Sequence, residues 1–301
     1  MGEFVAAGLL SHVPTIMLPE TTRRELNEGN ELSLVTSLNQ LRKDVFETLD
    51  YDTVMVLDSH WFTTVEFVVT AHAHRKGFFT AEELPRGMSK IPYEWEGDAE
   101  FAHAIASHAD EVGTWITPID DEYLPLYYPS VNLWSYLGKG LDKRWLSMSV
   151  CQTADTEDYL RVGRAIGKAI ADVDRKVIII ATGSLSHTFY GLREIRLNPE
   201  VERSDPKYIV SDKAREMDYE RLAWFAEGRH DRVLETMDDF LTVRPEGKFA
   251  HYLMMAAALG EQDFCAPGVQ ISDYENSVGT SQVHVWFDRP STGWSHSGVA
   301  V

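Results

Sequence analysis

The chain has 301 residues, of which 44% are hydrophobic and 25% are charged, a composition typical of a globular protein. Its 28 basic and 47 acidic residues give a formal net charge of −19, which argues against a nucleic-acid partner because phosphate binding needs a basic surface. The two cysteines, Cys151 and Cys265, rule out a disulfide framework and favour a reducing cytoplasm, and no apolar run approaches the roughly 20 residues of a membrane span.

Apolar, β-branched runs alternate with helical periodicities along the chain. The runs predict strands at 3–10, 53–58, 65–71, 115–118, 145–150, 176–182, 267–272 and 281–287. Apolar residues at helical spacing predict helices at about 31–49, 97–112, 155–172, 206–227 and 248–259. This alternation indicates βαβ units. We therefore expect an α/β fold, with a mainly parallel central sheet flanked by helices in a single large domain.

The domain boundaries follow from composition. We place one domain at residues 1–289 and expect the Ser- and Gly-rich residues 290–301 to form a flexible C-terminal tail. Segments 76–96 and 119–131 interrupt the alternation and are rich in Pro, Gly and aromatic residues. Long loops on an α/β scaffold usually shape a site, so we expect these two segments to border it.

Three of the predicted strands run into a Ser-His pair, which places His12, His60 and His187 just beyond strand ends. Ligands of open α/β sheets bind beyond the carboxyl ends of the strands. A single histidine at a strand end is more often a hydrogen-bonded structural residue. Three at equivalent ends favour a common site, and a metal centre is the interpretation that explains all of them together.

The metal itself remains open at this point, because neutral imidazole suits zinc, iron, copper and nickel. The best carboxylate candidate is Glu246, which stands between Pro245 and Gly247 immediately before an apolar helix. An ordinary helix-entry glutamate would also be found there. If Glu246 joins two of the histidines, the set is the facial triad of non-haem Fe(II) oxygenases, which leaves coordination positions open. The third histidine would then be free for proton transfer.

Several short motifs, in this order, resemble those of the class III (LigB-type) extradiol ring-cleaving dioxygenases, in particular the members that cleave 3,4-dihydroxyphenylacetate. They are S-H-V-P-T at 11–15, D-S-H-W at 58–61, E-L-P at 83–85, Y-E-W-E-G at 93–97, G-S-L-S-H at 183–187, Glu246-Gly247 followed by His251, and G-T-S-Q-V at 279–283. Each motif is short. Their order and spacing between residues 11 and 283 carry the resemblance.

The resemblance implies an activity and assigns roles. His12, His60 and Glu246 would hold Fe(II), and His187 would be the acid/base that stays off the metal. His251 would be a supporting catalytic residue, although a helix-surface position explains it equally well. The implied reaction is extradiol cleavage of a small aromatic diol by dioxygen, giving a hydroxymuconic semialdehyde-type product. The implied substrate is 3,4-dihydroxyphenylacetate or a related substituted or bicyclic catechol, and the implied enzyme is a homo-oligomer used in the breakdown of aromatic compounds.

The chain departs from the family pattern at one point. Many members carry a second active-site histidine in a D-H-G turn, where this sequence has Asp121-Glu122-Tyr123. We expect Tyr123 to occupy that place, and a phenol with a pKa of about 10 is a poor base at neutral pH. It could equally be a wall residue of the ring pocket.

The substrate side is predicted from aromatic residues, which supply flat apolar surface. The candidates are Trp61, Tyr93, Trp95, Tyr123, Tyr127 and Tyr128, and we select Trp61, Tyr93 and Tyr127 as the substrate contacts, with core packing as the alternative. A carboxylated catechol would need a cation, for which Arg193, Arg196 and Arg203 are candidates by position only. If none of them lines the pocket, an uncharged catechol is preferred.

Two other functions use the same residues. A zinc hydrolase could employ His12, His60 and Glu246 as ligands with a metal-bound water. A non-catalytic binding protein of the same fold is the other alternative, because fold alone does not fix function.

Overall fold

The computed structural model describes residues 2–84 and 87–296. Its strands are β1 (Glu3–Leu10), β2 (Thr53–Thr63), β3 (Phe67–Thr70), β4 (His74–Phe79), β5 (Ile91–Glu96), β6 (Ile116–Ile119), β7 (Arg144–Cys151), β8 (Lys176–Thr182), β9 (Gly268–Gln270), β10 (Glu275–Ser277), β11 (Thr280–Gln282) and β12 (His284–Asp288).

The helices are α1 (Glu20–Leu26), α2 (Ser33–Leu41), α3 (Ala99–Ser107), α4 (Ala109–Val112), α5 (Tyr128–Leu137), α6 (Thr156–Ala169), α7 (Leu192–Leu197), α8 (Asp212–Ala226), α9 (His230–Glu235), α10 (Met237–Leu241) and α11 (Ala250–Ala258). A π-helical turn, Arg42–Phe46, continues α2. Short 3-10 turns lie at Pro14–Met17, Ile170–Asp172, Pro199–Glu202, Pro206–Tyr208, Glu246–Phe249 and Glu261–Asp263.

The central sheet has eight strands in the order β6-β3-β7-β2-β8-β1-β12-β9. Its four central strands, β7, β2, β8 and β1, run parallel to their neighbours in this group. Strands β12 and β9 extend one edge in antiparallel fashion, and β3 pairs antiparallel with β7 on the other side. The predicted fold class, an α/β domain with a mainly parallel sheet flanked by helices, is confirmed.

Both faces of the sheet are covered, as the continuous apolar runs predict. Along β8, Val177 and Ile179 belong to one buried cluster and Ile178 and Ile180 to the other, because successive side chains of a strand point to opposite faces. The first cluster includes the apolar residues of α3, α6, α8 and α11. The second includes those of α2 and α5. Helix α6 begins at a capping box formed by Asp155 and Asp158.

The two segments expected to be irregular contain regular structure. Residues 76–79 and 91–96 of the first segment belong to the antiparallel hairpin of β4 and β5, and α5 begins inside 119–131. In β4 only Arg75 and Phe79 are buried, and Arg75, Lys76 and Gly77 have low strand propensity. This hairpin therefore has no apolar run from which a strand could be predicted.

The C-terminal segment returns to the start of the sheet. Trp294 Nε1 donates a hydrogen bond to the Phe4 carbonyl over 2.8 Å, and Ser295 forms a β-bridge with Phe264. Trp294 and Ser295, which belong to the predicted tail, thus contact the rest of the domain. Residues 297–301 lie outside the described residues. None of the helices in the described part of the chain combines the length and apolar character needed to cross a bilayer.

Candidate metal centre and active-site cavity

The register of the central strands brings three histidines to one edge of the sheet. Strand β8 lies between β1 and β2, and its last residue, Thr182, pairs with Leu10 on one side and with Asp58 on the other. His12 and His60 each follow two residues after those partners, and His187 follows five residues after Thr182. The three imidazoles therefore leave the sheet at the same level.

His60 is directed away from the sheet by a break in strand pairing. Asp58 pairs with Ser149 of β7, but the next pair is Phe62 with Val150, so Ser59, His60 and Trp61 bulge out. Asp58 Oδ1 accepts hydrogen bonds from the backbone N–H groups of His60 and Trp61, at 3.0 and 3.1 Å. Burial raises the pKa of this carboxyl to about 6.

Glu246 reaches the same edge on a loop that pairs with the segment before His187. Glu246 N donates to Leu185 O over 3.1 Å, and His187 N donates to Arg244 O over 2.9 Å. The loop then turns with left-handed conformations at Lys248 and Phe249, with φ of 59° and 62°. Each such non-glycine residue costs about 1–2 kcal/mol, and strain of this kind concentrates at functional sites.

Three of these side chains converge on one point. Glu246 Oε1 lies 3.3 Å from His12 Nε2 and 3.5 Å from His60 Nε2. The three ligand atoms lie within 4.8 Å of one another. His12 and Glu246 are buried and His60 is partly exposed to the cavity. Two imidazole nitrogens and one carboxylate oxygen at these distances fit a divalent metal ion.

The protonation of these groups suits metal binding, which needs neutral imidazoles and an ionised carboxylate. Burial lowers the pKa of His60 to about 4 and also lowers the pKa of His187. Burial alone would raise the pKa of Glu246, but the facing imidazoles of His12 and His187 outweigh it and hold the pKa well below its usual range.

Hydrogen bonds orient the candidate ligands. His12 Nδ1 lies 2.7 Å from Thr182 Oγ1, and donation from Nδ1 leaves the Nε2 lone pair facing the site. Ser184 donates its backbone N–H and its hydroxyl to Glu246 Oε2, at 2.7 and 2.8 Å. Ser59 Oγ donates to Oε1. The carboxylate is thus fixed with Oε1 towards the two histidines.

These groups line a cavity of about 210 Å³, far larger than the roughly 10–15 Å³ that one water molecule needs. Its walls are formed by His12, Val13, Pro14, Thr15, His60, Glu83, Leu84, Tyr128, His187, Phe189, Glu246, Ser277, Val278, Thr280 and Gln282. His187 Nε2 lies 3.8 Å from Glu246 Oε2, and the His187 ring contacts the edge of Phe189.

A tyrosine other than the predicted one contacts the candidate ligands. Tyr128 Oη lies 2.7 Å from His60 Nε2 and donates a longer hydrogen bond to Glu83, at 3.3 Å. Burial, together with the carboxylates of Glu246 and Glu83, raises the pKa of Tyr128, so it remains a hydrogen-bond donor. Tyr123, the predicted catalytic residue, is 83% exposed and is absent from the cavity walls.

The predicted substrate contacts lie elsewhere. Trp61 and Tyr127 stack on each other with ring centres 5.8 Å apart, and Tyr93 packs against Trp95. None of these rings borders the cavity, and neither do Arg193, Arg196 and Arg203. The aromatic and apolar wall comes instead from Phe189, Leu84, Val278 and the start of α5. Besides the motifs that carry the histidines and Glu246, E-L-P contributes to the wall through Glu83 and Leu84, and G-T-S-Q-V contributes through Thr280 and Gln282.

His251 lies behind the site. It is fully buried on α11, and its ring packs so closely on Gly183 that a Cβ there would lie 2.5 Å from Nε2. Burial lowers its pKa to about 4. His251 supports the turn between β8 and His187 and does not border the cavity.

Comparison with known proteins assigns the chain to a family. A family model described as the catalytic LigB subunit of aromatic ring-opening dioxygenase matches residues 6–288, and the chain belongs to this family. It is 31% identical over 192 residues to 3,4-dihydroxyphenylacetate 2,3-dioxygenase of Escherichia coli, a match that covers 63% of this chain and 68% of that protein.

A solved structure shares the fold. The crystal structure of an uncharacterized protein from Escherichia coli K12 superposes with a TM-score of 0.57 at 17% identity, covering 94% of this chain and 99% of that one. At this identity the likeness concerns the fold alone.

Proposed function

We propose that the chain is an Fe(II)-dependent extradiol dioxygenase that opens the ring of a catechol beside its two hydroxyl groups and yields a hydroxymuconic semialdehyde-type product. The observation that carries this proposal is the approach of Glu246 Oε1 to His12 Nε2 and His60 Nε2, at 3.3 and 3.5 Å, on the wall of a ring-sized cavity. Two neutral nitrogens and one carboxylate form the donor set of non-haem Fe(II) oxygenases. The name of the Escherichia coli relative supports an aromatic diol as substrate.

In this proposal His12, His60 and Glu246 hold the metal. A bound ferrous ion would supply sites for the diol and dioxygen and would lower the pKa of the diol hydroxyls. Ser184 and Ser59 hold the carboxylate in its orientation, and Thr182 holds the His12 ring. Holding both reactants at one centre removes the entropic cost of their encounter.

His187 is the proposed acid/base. Its ring borders the cavity and its Nε2 lies on the side of Glu246 away from the oxygen that faces His12 and His60. From there Nε2 accepts a proton from a substrate hydroxyl and returns it to oxygen later in the reaction. The Tyr128 hydroxyl lies on the opposite side, next to His60. Phe189, Leu84 and Val278 limit the access of water.

The test separates metal binding from proton transfer. Protein is loaded with Fe(II) without oxygen, mixed with a panel of catechols and exposed to air, while visible absorbance and oxygen uptake are followed. We expect an oxygen-dependent yellow product.

His187→Phe should keep its iron and lose at least about 100-fold in turnover, whereas Glu246→Ala should lose the iron. His103→Phe, on the exposed side of α3, is the control. Equal iron loss in both site variants contradicts the assignment of roles, and a zinc-dependent colourless hydrolysis favours the hydrolase alternative.

We also infer a cytoplasmic homo-oligomer. The free cysteines, Cys151 and Cys265, support a reducing compartment. The oligomer rests on the resemblance to the family, and light scattering of the purified protein tests it.

A further inference from the structure

We infer that the site takes catechols with an uncharged ring substituent and discriminates against carboxylated ones, and that Glu83 is the specificity-determining residue. This inference rests on the proposed function and refines its substrate class. It departs from the substrate named for the Escherichia coli relative, which carries a carboxylate.

The charge on the cavity wall is mainly negative. Its described walls contain two carboxylates, Glu83 and Glu246, and neither lysine nor arginine. Glu246 is committed to the candidate metal ligands. Glu83 is exposed, it accepts a hydrogen bond from Tyr128, and it forms no salt bridge with a lysine or arginine of the described residues. A substrate carboxylate in this cavity would therefore face a like charge without a counterion.

Two of the uncharged polar groups on the wall, Thr280 and Gln282, offer little compensation because they already bond to each other and to their neighbours. Thr280 Oγ1 donates to the Ser277 carbonyl over 2.8 Å and accepts from Gln282 Nε2 over 2.8 Å. Gln282 Oε1 accepts from the hydroxyl of Ser11. A carboxylate loses its hydration on entering such a site, and this cost is not recovered without a cation or free donors.

The remaining wall suits an apolar substituent. Val13, Pro14, Leu84, Phe189 and Val278 contribute aliphatic and aromatic surface. Leu84 and Phe189 keep 40% and 58% of their surface exposed, and ligand pockets are lined mainly by apolar and aromatic side chains of this kind.

The experiment compares two catechols of nearly the same shape, 3,4-dihydroxyphenylacetamide and 3,4-dihydroxyphenylacetate. The iron-loaded full-length protein is assayed for kcat/KM by oxygen uptake, and Kd is measured by anaerobic titration. We expect the amide to be preferred by about tenfold in both quantities, since a like charge a few ångströms away disfavours binding several-fold even when it is screened as in water, and more strongly when it is partly shielded from solvent.

Two variants test whether Glu83 causes the preference for the amide. Glu83→Gln should improve the acid and reduce the preference to about twofold, because the repelling charge is gone while the shape is kept. Glu82→Gln removes the neighbouring charge, which is exposed and absent from the cavity wall, and should leave the preference unchanged. If the preference falls equally in both variants, a general charge effect explains it and the assignment to Glu83 is wrong.

The outcomes for the two proposals are distinct. If the acid is bound and cleaved as well as the amide, or better, the uncharged-substrate inference is wrong while ring cleavage stands. If 4-methylcatechol and both test compounds consume no oxygen with iron bound, the proposed function fails, and the anaerobic Kd values still decide the question of charge.

Discussion

Ser184 holds one oxygen of Glu246 with two hydrogen bonds, from its backbone N–H at 2.7 Å and from its hydroxyl at 2.8 Å, both to Oε2. The other oxygen, Oε1, is thereby left facing His12 and His60. A residue that follows the end of a central strand thus sets the orientation of a carboxylate on a loop 62 positions away in sequence. Ser184 is in this sense a positioning residue for the metal centre.

Replacing Ser184 by alanine should weaken metal binding without unfolding the protein. The backbone N–H still donates to Oε2, but the second hydrogen bond is lost and the carboxylate gains freedom. Loss of such an outer partner typically costs 10–100-fold in metal affinity. The Kd for Fe(II), measured by anaerobic chelator competition, checks this. Ser107→Ala, which removes a hydroxyl that bonds the Ala104 carbonyl on exposed α3, is the control. An unchanged Kd in Ser184→Ala would show that the amide alone suffices.

Tyr128→Phe should retain iron and lower turnover. Its hydroxyl lies 2.7 Å from His60 Nε2 on the cavity wall, and its raised pKa keeps the proton available for donation. We expect turnover to fall by about tenfold, equivalent to one hydrogen bond of about 1.4 kcal/mol, with the Kd for Fe(II) unchanged. Tyr123→Phe is the matched control because that ring is 83% exposed. A larger loss in Tyr123→Phe than in Tyr128→Phe would restore Tyr123 as the catalytic tyrosine.

Gly183→Ala should destabilise the fold through His251. The added Cβ would lie 2.5 Å from the buried imidazole, and overpacking of this kind costs about 1–3 kcal/mol in free energy of unfolding. Truncating the ring in the double variant Gly183→Ala/His251→Ala should relieve part of that cost, which urea unfolding of the single and double variants measures. Gly191→Ala, where a Cβ meets no atom within 4 Å, is the control. Strictly additive effects would mean that the two residues do not clash.

His230 should make the free energy of unfolding depend on pH between about 4 and 6.5. Its Nε2 donates to the Ala266 carbonyl and its Nδ1 accepts from Tyr252 Oη, so the folded ring is neutral. Burial lowers its pKa to about 4, against about 6.5 unfolded. The unfolded chain therefore binds more protons in this range. The contribution of His230, up to about 3 kcal/mol, is complete above pH 6.5 and is lost as the pH falls towards 4.

The measurement is urea unfolding from pH 4 to 8 for the wild type and His230→Gln. The variant should be less stable at pH 7.5 by about 2 kcal/mol, because buried hydrogen bonds are broken, and its stability should change less with pH. His103→Gln, at an exposed site, should follow the wild-type profile. Parallel pH profiles for the wild type and His230→Gln would show that His230 is not the responsible group.

The sequence predicts the sheet and the histidines well because both follow from backbone geometry. Long β-branched runs identify β1, β2 and β8. Because the carboxyl ends of parallel strands lie at one edge of the sheet, the residues that follow these strands are expected there. His12, His60 and His187 are at that edge because Thr182 pairs with both Leu10 and Asp58. No feature of the sequence shows that β8 lies between the other two strands.

The sequence does not show in the same way which aromatic residues line the cavity. A tyrosine or tryptophan serves equally well in a core, in a surface stack or in a binding wall, and the choice depends on side-chain direction after folding. Trp61 stacks on Tyr127, whereas the adjacent Tyr128 turns to His60. These neighbours differ because Tyr128 is the first residue of α5 and Tyr127 precedes the helix.

Glu83 was missed for a related reason. It stands in a short E-L-P motif without periodicity, and its place on the cavity wall is set by contacts with α5 that are distant in sequence. Phe189 likewise reaches the wall where the chain after His187 runs beside the turn between β10 and β11, with Tyr190 N donating to Val278 O over 3.2 Å.

Iron-loaded crystals measured at the iron absorption edge give the most direct test of the metal centre. We predict a single anomalous peak about 2.0–2.2 Å from His12 Nε2, His60 Nε2 and Glu246 Oε1, with His187 outside bonding distance. A peak bound to other residues, or one that includes His187 in place of either histidine, would contradict the account.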